Sequence, residues 1–116
     1  MDAKLFLLHA ISPLHAGTGR GVGMIDLPIA REKATGLPYV PGSSIKGVLR
    51  DACKDDVIQK KVFGPKTDDG PEEHAGAINV SDMRILLFPV RSLRGTFAWV
   101  TSPLLLRRLK RDADAA

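Results

Sequence analysis

A single cysteine, Cys53, leaves nothing to pair with, so an internal disulfide and a cysteine-rich zinc site are both excluded. It falls on the apolar side of a predicted helix, where packing rather than catalysis is expected. Aromatic residues are scarce: one tryptophan, one tyrosine and four phenylalanines, too few and too scattered to read as a base-stacking platform. Trp99 reads as a sheet or core residue. No apolar run approaches the roughly 20 residues that a membrane helix needs. The start, Met1-Asp2-Ala3-Lys4, carries an acidic residue where a signal peptide would be positive. A cytoplasmic protein with no membrane partner is therefore expected. At 116 residues and 44% hydrophobic content, the chain has room for one domain and one core.

The charge balance is net +4 with a pI near 9.5, which favours polyanionic partners through long-range attraction and counterion release. Part of the excess lies in Arg107-Arg108-Leu109-Lys110-Arg111, which reads as the solvated face of a terminal helix. Lys4 to Ile11 is apolar at both alternating sets of positions, the pattern of a strand covered on two sides. Prolines 13, 28, 38 and 41 and glycines 17, 19, 21, 23, 36 and 42 then exclude a long regular element. A loose hairpin is expected there, Ile25–Arg31 pairing back on Leu37–Val40 across Ala34-Thr35-Gly36.

The clearest helix begins near Ser43. Ile45, Val48, Leu49 and Ala52 fall at i, i+3, i+4 and i+7 as one buried face, with Ser43 as N-cap. Lys46, Arg50 and Lys54 recur every fourth residue on another face, pointing outward. Beside a helix N-terminus, whose free amides and dipole favour anions, that stripe suits phosphate. Gly47, costly inside a helix, suggests close approach of another backbone. Residues 55–76 read as a polar surface loop broken by Gly64-Pro65 and Gly70-Pro71, with His74 a solvated loop histidine rather than a metal ligand. Spacing-two apolar positions from Ala77 to Val90, the turn Ser92-Leu93-Arg94-Gly95 and a strand from Thr96 to Thr101 predict an antiparallel hairpin. Ser102-Pro103 opens a second helix with Leu105, Leu106 and Leu109 as its stripe. The order is βαββα, an α+β, ferredoxin-like (RRM-like) arrangement without its closing strand.

Two joined segments carry the functional signal: Leu14-His15-Ala16-Gly17-Thr18-Gly19-Arg20-Gly21-Val22-Gly23 and Val40-Pro41-Gly42-Ser43-Ser44-Ile45-Lys46-Gly47-Val48-Leu49-Arg50, with Asp26 between them. Alternate glycines after a hydrophobic segment let backbone amides approach a phosphate. Asp26 lies in the apolar run Met24-Ile25-Asp26-Leu27, where it is either a loop residue turned to solvent or a placed functional group. His15 is either a strand-end histidine bonding loop backbone or a group that positions RNA or transfers protons. Arg20, among glycines, suits phosphate contact, and His9 reads as structural.

The Pro41–Gly47 motif with the glycine-rich loop resembles the RAMP superfamily of CRISPR proteins. The longer run from His15 through Asp26-Leu27-Pro28-Ile29-Ala30-Arg31-Glu32 to Leu49-Arg50-Asp51 is similar to the backbone subunit of type III-B effector (Cmr) complexes, whose members are much longer than this chain. The resemblance implies one incomplete RAMP domain over 1–116. Its parts would be a first strand at 1–11, a glycine-rich and catalytic loop at 12–42, an RNA-binding helix at 43–55, a hairpin at 77–101 and a second helix at 102–112. The closing strand would belong to further sequence, to another copy or to another subunit.

The resemblance also implies RNA contacts at Arg20, Ser43, Ser44, Lys46, Arg50 and Lys54, with guide RNA, target RNA, other copies and other Cmr subunits as partners. It implies metal-dependent endoribonuclease activity, with Asp26 holding Mg²⁺ or another divalent cation and His15 assisting; Glu32 or a neighbouring subunit could add a ligand. Two other readings stay open. One is a non-catalytic RAMP subunit that binds guide RNA structurally, and the other is a metal-independent RAMP endoribonuclease that processes guide precursors by histidine acid-base chemistry.

Overall fold

A computed structural model describes residues 2–17, 27–65 and 74–116. Among them are three helices and two two-stranded sheets, an α+β arrangement consistent with a partial ferredoxin-like fold. The chain gathers into two compact units, Ala16–Met83 and a second made of the residues up to His15 together with Arg84–Ala116.

In the first unit, the expected hairpin forms around a turn at 33–35. Arg31 pairs with Pro38, Tyr39 N donates to Ala30 O at 3.1 Å and Glu32 N to Leu37 O at 2.9 Å. The turn is held by its own side chains: Thr35 Oγ1 donates to Glu32 Oε2 at 2.6 Å, and Arg31 Nη1 to Gly36 O at 2.9 Å. Gly17 pairs with Ile29, and Ala30 N donates to Ala16 O at 2.8 Å, which joins the 16–17 segment to the hairpin. Ala30, bonded on both sides, is fully buried. Leu27 has φ 51°, a left-handed conformation that bulky residues rarely adopt.

Strand β1 (Tyr39–Val40) leads directly into helix α1 (Gly42–Ala52) and pairs with β2 (Met83–Arg84). Sequence reading missed α2 (Asp56–Phe63) by treating 55–76 as loop. Its signals are nonetheless local. The Asp55 carboxylate accepts from Val57 N at 2.9 Å and Ile58 N at 3.0 Å. Gly64, at φ 93°, ends the helix in a conformation suited to glycine, and Pro65 follows. Gln59, 8% exposed, joins the two helices: its Nε2 donates to Arg50 O at 2.9 Å and Cys53 O at 3.3 Å, satisfying carbonyls at the end of α1.

In the second unit, β3 (Phe88–Arg91) and β4 (Phe97–Val100) form the expected antiparallel hairpin, in the register Phe88 to Val100, Pro89 to Trp99, Val90 to Ala98 and Arg91 to Phe97. Helix α3 (Pro103–Asp114) starts at the expected cap, Leu105 N donating to Ser102 Oγ at 3.4 Å. Its inner side is Leu105, Arg108, Leu109 and Asp112 rather than the expected leucine stripe, for Leu106 is exposed. Asp112 pairs with Arg84 at 3.3 Å.

The expected first strand differs most. Residues 2–10 take no regular element, and Phe6 and Ile11 are 83% and 92% exposed. A strand exists only with a hydrogen-bonding neighbour, and β3 and β4 pair only with each other.

Candidate nucleic-acid interface

Helix α1 begins two residues earlier than the expected Ser43 cap suggested. Pro41 is the N-cap and no side chain of the cap closes the helix, so Ser43 is a first-turn residue rather than the cap. The first amide, Gly42 N, is taken by a carboxylate from elsewhere in the unit, Asp82 Oδ1, at 2.8 Å. Ser44 N and Ile45 N turn back to Pro41 O at 3.0 and 3.3 Å. A protein carboxylate therefore already occupies the position at which the helix N-terminus was expected to receive phosphate. Gly42 makes this possible: a Cβ there would collide with the Val80 carbonyl oxygen, so only glycine lets α1 start against the 80–82 segment.

The basic stripe also turns the other way. Lys46 and Arg50 are part-buried, whereas Val48, on the face expected to be inward, is 70% exposed. Lys46 Nζ donates to Ile78 O at 3.2 Å and Arg50 Nη1 to Pro65 O at 3.4 Å. Their long stems pack along the unit while their cationic ends gather beside it. Lys54, third in the series, lies past the end of α1 and is exposed.

Ser43, Lys46, Gly47, Arg50 and Phe63 line a cavity of about 270 Å³. Two cations, a hydroxyl and no carboxylate make its chemistry that of an anion site. Lys46 has donors to spare, spending one of three on Ile78, while Arg50 Nη2 is closed off from solvent without a hydrogen-bond partner among the described residues. Gly47 does not serve the close backbone approach expected of it, because a Cβ there would meet nothing within 4 Å. Its missing side chain instead leaves the cavity open.

Ser44 is exposed on the first turn. Arg20 and Asp26 lie outside the described residues. His15 is exposed and makes no hydrogen bond or ion pair among the described residues. Glu32, considered as a second ligand, accepts the Thr35 hydroxyl in the hairpin turn.

The RAMP superfamily pattern matches residues 7–114, nearly the whole chain. The chain belongs to the RAMP superfamily. It is 48% identical to the CRISPR system Cmr endoribonuclease Cmr4 of Pyrococcus furiosus over 121 residues, covering all of this chain and 41% of that protein. The crystal structure of oligomeric Cmr4 from Pyrococcus furiosus superposes with a TM-score of 0.67 at 50% identity, covering 77% of this chain and 35% of that one. A cryo-EM structure of the type III-B Cmr-beta complex bound to cognate target RNA gives a TM-score of 0.70 at 28% identity, covering 92% and 40%. The similarity to type III-B backbone subunits expected from the sequence is thus met, by a chain that spans about two fifths of these relatives' length.

The expectation of a metal-dependent endoribonuclease is corrected. Among the described residues no three His, Cys, Asp or Glu side chains gather where they could hold a metal ion. Asp26, the expected holder of Mg²⁺, lies outside the described residues, and Glu32 is engaged in a turn. No cleavage step is assigned to this chain.

Proposed function

We propose that this RAMP domain is a structural, RNA-holding part of a type III-B CRISPR backbone subunit. Its partners in this reading are guide RNA, the target RNA paired with it, further copies of the subunit and other Cmr subunits. The observation that carries it is the cavity on α1, which Lys46 and Arg50 line together with Ser43. The similarity to Cmr4 and to the Cmr-beta complex supplies the class of ligand. A cavity that offers N–H donors and positive charge, but no arrangement for reading base edges, holds a ribose-phosphate backbone and leaves sequence to base pairing.

The test is binding of single-stranded RNAs of unrelated sequence by the unaltered chain and by Arg50→Gln, which keeps a donor for Pro65 but removes the charge. Affinity should fall by the same factor for every sequence. Unchanged affinity, or a loss confined to one sequence, contradicts the proposal.

A further inference from the structure

The basic excess of the chain falls in the unit that does not contain α1. The unit comprising residues up to His15 and Arg84–Ala116 holds eight Lys and Arg against three Asp, a net +5. The unit that contains α1 holds nine against ten, a net −1. Long-range attraction for a polyanion therefore originates in the β3–β4 unit.

The hairpin's two faces differ in kind. Cross-strand partners share a face and alternate along each strand. The register therefore places Phe88, Val90, Ala98 and Val100 on one side, none with a polar side-chain atom. Pro89, Arg91, Phe97 and Trp99 occupy the other. The first face suits packing beneath other apolar groups, while the second carries a guanidinium and an indole N–H that need water or a polar ligand.

On that second face the rings form a cluster. Phe97 and Trp99 meet edge to face with centroids 5.4 Å apart, and His9 meets Trp99 at 5.8 Å and 72°. Phe97 is 51% exposed and Trp99 48%. Arg91, opposite Phe97, is exposed and engaged by no carboxylate among the described residues, and Arg94 follows in the turn. Held rings beside free cations match a single-stranded nucleic acid in two respects: its bases stack on aromatic surfaces, and its phosphates pair with arginine. An apolar protein surface would leave Arg91 desolvated and unpaired.

We infer that the Pro89–Arg91–Phe97–Trp99 face, edged by His9, is a second RNA-contact surface, stacking one or two unpaired bases with Arg91 and Arg94 on the adjoining phosphates. The identity of the ligand rests on the RNA-holding reading above; the site shares no residue with the α1 cavity.

The chain has one tryptophan, so its fluorescence reports this face directly. The full chain is titrated with a short single-stranded oligoribonucleotide and with inorganic polyphosphate, which has the charge but no bases. The expected result is quenching of Trp99 by the RNA and none by polyphosphate. Trp99→Ala should weaken RNA binding about 5- to 150-fold, as expected for loss of one stacked base, with the slope of log K against log salt unchanged. Trp99→Phe, which retains a ring, should recover most of the affinity and serves if the alanine variant does not fold. RNA binding with unquenched Trp99, or equal quenching by polyphosphate, overturns the inference alone. Absence of any RNA binding overturns the RNA-holding reading with it. A blue shift of Trp99 emission with rising protein concentration and no RNA present would show that another protein copy covers the face, which also overturns the inference.

Discussion

At the scale of single residues, two glycines of one helix have opposite reasons to be there. Gly42 is required by contact, because a Cβ would strike the Val80 carbonyl oxygen. Gly42→Ala should therefore destabilise the chain by about 1–3 kcal/mol, the usual cost of overpacking, measured by denaturant unfolding. Gly47 meets nothing within 4 Å, so Gly47→Ala should stabilise the helix by up to about 1 kcal/mol. Because Gly47 lines the Lys46–Arg50 cavity, the same substitution should weaken RNA binding. A variant with a higher melting temperature and lower RNA affinity would separate the two effects. Unchanged affinity would mean that RNA does not enter beside Gly47.

At the scale of elements, much was legible because it was local. Ser102-Pro103 announces α3, Ser92-Leu93-Arg94-Gly95 turns the β3–β4 hairpin, and Gly36 sits where the earlier hairpin needs a positive φ of 71°. The capped start and glycine stop of α2 were equally local, yet its surrounding charges made the segment read as loop. What periodicity could not convey was direction. Lys46 and Arg50 looked like the solvated side of α1 because cations usually are, but carbonyls of Ile78 and Pro65 draw them inward. The cap was hidden for a similar reason: Asp82 lies 40 residues from the Gly42 amide that it accepts. Asp82→Ala should cost about 0.5–2 kcal/mol, the range for a lost N-cap, and free that amide. Asp82→Asn, which keeps an acceptor, should restore most of the stability. Equal losses for both variants in thermal melts would mean that the bond from Gly42 contributes little.

At the scale of the whole molecule, apolar cover is sparse. Among the described residues only Ala30 and Leu105 are buried apolar side chains, whereas Leu7, Leu8, Phe88 and Val90 all stand in solvent. Exposed apolar surface on this scale drives association. The chain should accordingly self-associate as its concentration rises in light scattering, through these aliphatic positions, without shifting Trp99 emission. A monodisperse species across a hundredfold concentration range would contradict that expectation.

The division of charge, net +5 in one unit and −1 in the other, means that overall charge and local phosphate contact need separate measurements. The most direct measurement of the central claim is the salt dependence of RNA binding, compared between the unaltered chain and a Lys46→Gln, Arg50→Gln double variant. Both substitutions retain a donor for the Ile78 and Pro65 carbonyls while removing two charges from the α1 cavity. If the cavity holds the RNA backbone, the magnitude of the slope of log K against log salt should fall by roughly 1.4, at about 0.7 per phosphate contact to a single strand. A slope identical to that of the unaltered chain would contradict the account, leaving Lys46 and Arg50 as braces of the fold alone.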